Sequence, residues 1–427
     1  MIDSPCVEAP FLTVLCRFRV SIARRYWVRL LAGFLFLTGV RVDAAERLSL
    51  EVRETGGFRR SGCPTAVLLV LPADVSRETR FRLLDDTGEP VGAQFRPDGD
   101  AQATNRWWLD FGASLEPSAT RTYLVEYGQG VEALAAPSGG HVLHEADDAF
   151  VVENAPYISW SVPRDLRGLL RSVDFPPNKH LRPDSPGLYL EDREGGRHPL
   201  SGEGIAVRVT RNGPLCVALN FSGHFEDGPL RGVRWTVDLT FPAPVSWVEV
   251  DCKVEDPRDK VSTVGLELHL ALDAPTSEAP TLVDFGAWTY VYSSLYSGEA
   301  TEMLARPRDV LPPLVRIHRG PPSELIEVAS NEAVAEGWLH VMDRRRCLAL
   351  AVAEFGKDAD DTLVASAEGI VIGKRHWLPP VRDLAATTKK LHAWLHFVHY
   401  PPQYSAATSP RMMQTPPEVR VLDVPRE

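Results

Sequence analysis

The stretch Trp247-Val248-Glu249-Val250-Asp251-Cys252-Lys253-Val254-Glu255 sets Val248, Val250, Cys252 and Val254 against Trp247, Glu249, Asp251, Lys253 and Glu255 in strict alternation. A second run repeats the period of two, with Val264, Leu266, Leu268, Leu270 and Leu272 against Gly265, Glu267, His269 and Ala271. Only a strand presents such a pattern as one apolar face. Residues 205–210, 215–221 and 235–241 read as further strands, separated by the turn residues Arg211-Asn212-Gly213-Pro214 and Pro242-Ala243-Pro244. Residues 205–272 therefore read as consecutive antiparallel strands on one face of a large β-sandwich, because so many inward apolar side chains need a second layer to cover them.

Composition agrees with this reading. The 427 residues are 44% hydrophobic, enough for two or three domains with a sizeable core. The 35 prolines and 31 glycines against 5 methionines suit many short strands with punctuated turns better than a helical bundle. Residues 1–44 hold six arginines and three acids around the apolar run 30–40, followed by Val42-Asp43-Ala44. That is the layout of a cleaved signal peptide, with an uncleaved anchor as the alternative, and the run falls short of the ~20 apolar residues of a membrane span. Arg24-Arg25 also resembles the pair of a twin-arginine signal. The expected location is therefore periplasmic or extracellular. Without the leader the chain keeps 40 basic and 54 acidic side chains, about −14, a field that disfavours nucleic acid.

Cys63, Cys216, Cys252 and Cys347 lie far apart, in strand-like surroundings and without metal-ligand spacing. They read as buried free thiols, with one disulfide as the alternative in an exported protein. No Walker A, GxSxG, HExxH or dinucleotide fingerprint occurs in a usable setting, and no cofactor or metal is expected.

Residues 46–130 read as a small all-β domain with strands at 48–54, 65–71, 81–84, 106–111 and 121–127, and a turn at Asp85-Asp86-Thr87-Gly88. Residues 131–146 form the linker, a larger β-domain spans 147–400, and 401–427 is a proline-rich tail. Within the larger domain, 165–172 and 300–305 are expected as short helices, and 335–342 and 347–355 as a hairpin.

Several segments carry a resemblance. Phe81-Arg82-Leu83-Leu84-Asp85-Asp86-Thr87-Gly88-Glu89-Pro90-Val91-Gly92-Ala93-Gln94-Phe95, Arg106-Trp107-Trp108-Leu109-Asp110-Phe111 and Tyr123-Leu124-Val125-Glu126-Tyr127-Gly128 resemble the N-terminal RIFT-type barrel of the exo-rhamnogalacturonan lyase-like family. Ala335-Glu336-Gly337-Trp338, Ala351-Val352-Ala353-Glu354-Phe355 and Lys389-Lys390-Leu391-His392-Ala393-Trp394 resemble its central sandwich. Where the family tends to carry Thr-His in this last element, the chain has Leu391-His392. The resemblance implies an all-β fold, a small RIFT-like β-barrel followed by a large antiparallel β-supersandwich. It also implies a third domain, an α/α toroid, for which 401–427 is too short, so a separate toroid-bearing chain is an expected partner.

Lyase chemistry on a uronate needs a cation beside the carboxylate, a base for the neighbouring C–H proton and an acid for the leaving oxygen. His180, Tyr157 and His392 are the candidate catalytic groups, and Lys179, Arg182, Asp184, Trp394 and Trp108 the candidate substrate-binding groups. Arg182 and Asp184 have a second reading, as an ion pair bracing a loop. His392, Trp394 and His396 project from one face of their strand, but histidines four apart on a strand lie about 13 Å apart, too far to share a metal. Adjacent Trp107 and Trp108 point to opposite faces, so one belongs to the core and the other is a candidate to stack on a sugar, with core packing of both as the competing reading. The expected function is recognition of a rhamnogalacturonan or other acidic polysaccharide or oligosaccharide by a polysaccharide lyase-like protein. A non-catalytic cell-surface or structural module is the alternative.

Overall fold

The computed structural model describes residues 45–132, 134, 139–202, 204–286, 290–306, 313–357, 360–376, 388–400 and 409–422; the leader lies outside them, as does part of the linker. Strands dominate, and Pro410–Gln414 is the only helix among the described residues. A nine-stranded sheet runs Ala206–Arg211, Cys216–His224, Arg234–Pro242, Trp247–Glu255, Thr388–His399, Arg346–Val352, Trp338–Met342, Thr281–Gly286, Tyr290–Leu295. Facing it, an eight-stranded sheet includes Gly187–Asp192, Val261–His269, Gly369–Arg375, Asp361–Ser366, Ala300–Arg306 and Leu314–Gly320. A five-stranded sheet built from 142 to 179 includes Ala149–Asn154 and Ile158–Pro163.

The alternation decides what lies between the layers. Val248, Val250, Cys252 and Val254 from one sheet and Val264, Leu266, Leu268 and Leu270 from the strand Val261–His269 of the other meet in a single core. The expectation that residues 205–272 share one face therefore needs a correction: the last strand crosses to the opposite layer. The crossing is held by Asp256, whose buried carboxylate accepts from the Val261 N–H at 2.8 Å and from the Lys389 ammonium at 2.7 Å.

Two helix expectations fail for identifiable reasons. Residues 300–305 sit in the strand Ala300–Arg306, paired on both sides by Leu314–Gly320 and Asp361–Ser366, so tertiary pairing overrides helix-forming Glu302, Met303 and Leu304. Residues 165–172 form turns in which Leu166 and Leu169 take φ of 56° and 63°, outside the range of a right-handed helix.

The strands of residues 46–127 enclose a separate core of Leu50, Val52, Leu69, Leu83, Leu109, Phe111, Tyr123 and Val125. It is not the closed barrel expected from the sequence. A sheet of Glu418–Leu422, Glu46–Arg53, Thr120–Tyr127, Phe81–Leu84 and Pro90–Val91 packs on one of Arg60–Ser76, Ala103–Leu115 and Ala93–Pro97, and no ladder joins the two. The edge of Glu46–Arg53 that closure could use is paired instead with Glu418–Leu422, a strand from the stretch expected to be a tail. All four cysteines in the described residues are free, with Cys216, Cys252 and Cys347 buried.

That C-terminal segment straps the N-terminal sheets to the sandwich. Arg60 is fully enclosed, pairs with Glu54 at 2.9 Å, and donates to the carbonyls of Met412 (3.0 Å) and Thr415. Gln414 donates to the carbonyls of Glu336 (2.7 Å) and Val352 (2.9 Å) in the sandwich, and Arg411 pairs with Glu336. Removing Arg60 leaves the Glu54 carboxylate buried without its cation, so Arg60→Ala should cost about 3–5 kcal/mol in urea denaturation. His141 and His180 are both buried, and desolvation pushes them down to about 4 and about 3. An unfolded histidine takes its proton near pH 6.5, so native stability holds above that value and falls below it by about 1.4 kcal/mol per pH unit for each residue. Thermal melts between pH 7 and 5 should show this loss, and His180→Phe should flatten the slope by one proton.

Candidate functional site

The inward set of the strand Trp247–Glu255 dictates its outward set. With the valines in the core, Glu249, Asp251 and Lys253 stand on the outer face of the nine-stranded sheet. The pairing register then aligns Arg208, Asn220, Asp238, Asp251 and His392 directly opposite one another on five successive strands. At 4.7–4.9 Å per strand the row spans about 19 Å. A parallel row sets Thr240, Glu249 and Trp394 side by side.

Short contacts couple the rows. Asn220 donates to Asp238 at 2.7 Å, Lys253 contacts Asp251 at 2.6 Å and Asp238 at 4.0 Å, and His392 Nε2 lies 2.7 Å from Glu249 Oε1. The hydrogen bond that Lys253 donates to Asp251 raises the Lys253 pKa, so its ammonium persists. These side chains remain about one third exposed and within reach of a ligand.

Around this shelf is a cleft of about 660 Å³. The strand Ala103–Leu115 forms one wall through Trp108, whose ring is covered by the Arg211 guanidinium at 4.7 Å. Arg211 also pairs with Asp110 at 2.6 Å; burial pushes that carboxyl up and Arg211 pulls it back. The Gln94 amide accepts from the Leu215 and Cys216 N–H groups at 2.9 and 3.2 Å, fixing the wall to the sandwich edge. A Cβ at Gly213 would overlap that amide, so the approach needs glycine there. The strap contributes Met412, Pro416 and Pro417 to the rim, while its Met413 packs with Trp247 and Trp394 into an apolar floor, backed by Trp338.

Of the sequence-predicted residues, Trp108, His392 and Trp394 line this cleft. Trp107 is the core member of its pair. Trp394 is only 6% exposed, so it serves as floor more than as a stacking platform. His396 is fully buried against Trp247.

The loop candidates lie outside the lining of the cleft. His180 is only 3% exposed, its ring 4.7 Å from Phe175 and 5.6 Å from His399. Arg182 and Asp184 pair at 2.8 Å on the surface, the bracing arrangement, and Asp184 also meets His269 at 3.4 Å. Lys179 is exposed in the two-residue strand Asn178–Lys179, and Tyr157 is exposed at a turn closed by its N–H to the Asn154 carbonyl.

Asn220, Asp238, Glu249, Asp251, Lys253 and Arg208 were not anticipated as site residues. Their outward direction is legible in the alternation, but their assembly depends on register with Thr388–His399, more than 130 residues downstream. Chemically, the shelf offers carboxylates and an amide spaced to bind hydroxyl groups, a fixed cation, and an imidazole that Glu249 holds through Nε2, which leaves Nδ1 as the nitrogen that can exchange a proton.

No protein-family model matches the chain, and no curated protein matches it in sequence. Solved structures do. A protein in the glycosyl hydrolase family 38 from Enterococcus faecalis aligns over 88% of this chain and 47% of its own, with TM-score 0.52 and 9% identity. An α-mannosidase from Enterococcus faecalis V583 aligns over 88% and 46%, with TM-score 0.52 and 10% identity. The chain spans about half the length of these structures, and at such identity the likeness is one of fold: an all-β sandwich architecture shared with part of each.

Proposed function

We propose that this chain is an exported carbohydrate-active protein that binds a glycan on the outer face of the nine-stranded sheet. The observation that carries the proposal is the in-register row Arg208, Asn220, Asp238, Asp251 and His392, held in a cleft wide enough for several sugar units. Sugars present hydroxyl groups at regular spacing, and a row of half-exposed carboxylates, amide and imidazole at strand spacing complements them. The solved structures that share the fold are described as a glycosyl hydrolase family 38 protein and an α-mannosidase, which favours this class over a purely structural module.

The sequence resemblance adds polysaccharide lyase-like chemistry on a rhamnogalacturonan or other acidic glycan. On that reading His392 is the proton-transfer group, Glu249 holds its imidazole, and Lys253 is the cation nearest the reacting carboxylate. Cleavage would release an unsaturated uronate with new ultraviolet absorbance.

The test is a glycan array with the purified protein, followed by calorimetry on the best ligand. Asp251→Asn and Asn220→Ala should each weaken binding about tenfold or more, since each removes a hydrogen bond to a sugar hydroxyl, with the charge of Asp251 adding to its loss. His392→Ala should abolish any lyase absorbance while the β-sheet circular dichroism is unchanged. Silence across the array, or binding indifferent to both shelf variants, would overturn the proposal in favour of a non-catalytic module.

A further inference from the structure

The same sheet face changes its charge as it runs away from the cleft. One step beyond the acidic row, register places Ser222, Thr236, Lys253 and Lys390 opposite one another on four successive strands. The next step aligns His224, Arg234, Glu255 and Thr388. Successive rows are two residues apart along a strand, about 7 Å. These side chains line a second cavity of about 650 Å³, which shares Lys253 with the first. Three basic side chains, Arg234, Lys253 and Lys390, face one acid there, Glu255, which approaches Arg234 no closer than 3.9 Å.

Two lysines directly opposite on neighbouring strands repel each other, and a sheet gains nothing from the arrangement by itself. Asp251 answers one of them, Lys253, from the side of the first cavity. Toward the second cavity the pair presents cationic donors together with the hydroxyls of Ser222 and Thr236. That set matches a carboxylate or sulfate, which accepts from ammonium and hydroxyl donors at once.

We propose that the second cavity, around Lys253, Lys390 and Arg234, is an anion subsite that receives a carboxylate or sulfate group of the glycan whose hydroxyls lie on the Asp238 and Asp251 row. The inference rests on the glycan-binding reading of the first cavity. It assigns the ligand a polarity: hydroxyl groups over the acidic row and the anionic group at Lys253 and beyond. Such a contact weakens as salt rises, because both cavities are open to solvent.

The test uses an array of matched pairs: uronate oligosaccharides with their methyl esters, and sulfated oligosaccharides with their desulfated parents. Wild-type protein should prefer the charged member of a pair, and the pair that responds identifies the anion as carboxylate or sulfate. Lys390→Gln and Arg234→Gln, both at exposed positions, should weaken binding of the charged member about tenfold and leave its neutral partner unchanged. Asp251→Asn should weaken both. Binding with no preference within pairs, or a preference that survives both variants, overturns the anion subsite and leaves the first cavity's role intact. No binding to any member overturns both.

Discussion

The register of Trp247–Glu255 against its two neighbours is the constraint on which the rest of the molecule depends. Its valines and Cys252 are fully enclosed in the core between the layers, so a slip of one residue would carry Glu249, Asp251 and Lys253 into that core. Burying three charges without partners costs far more than any ladder could return. The apolar side thereby locks the polar side in place, and the polar side is where the chemistry sits. Asp251 faces Asp238 and His392 across the ladders because the valines beside it have nowhere else to go.

A sheet face alone would be an open shelf. Two sets of buried polar contacts turn it into a cleft by fixing the N-terminal sheets over one side of it. Arg211 and Asp110, with Gln94 reaching the backbone of Leu215 and Cys216, hold the wall at the sheet's edge. Glu54 and Arg60, with the carbonyls of Met412 and Thr415, anchor the C-terminal strap, which in turn enters the N-terminal sheet as the strand Glu418–Leu422. Buried polar networks of this kind contribute geometry more than net stability, and geometry is what a wall requires.

The face also has a direction. Acidic and amide side chains concentrate in the rows nearest the wall, and amines and hydroxyls in the next row, that of Lys253 itself. Lys253 stands at the change of sign, its ammonium secured by Asp251. A surface that separates charge along one groove can orient an asymmetric ligand end to end, in addition to holding it.

The all-β class, the inward and outward sides of the central strands, the buried cysteines and the opposite orientations of Trp107 and Trp108 were all determined by local sequence, because a side-chain period of two needs nothing beyond neighbouring residues. His392 and Trp394 were legible as outward groups for the same reason. Tertiary structure alone decided which strands lie side by side, and that choice is made by pairing between segments far apart in the chain. It moved Val261–His269 to the opposite layer, kept the N-terminal sheets from closing, paired Glu418–Leu422 with Glu46–Arg53, and buried His180 where the sequence offered it as a loop group. It also built the site: Arg208, Asn220, Asp238, Asp251 and His392 come from five separate strands, and a row across strands has no signature along any one of them.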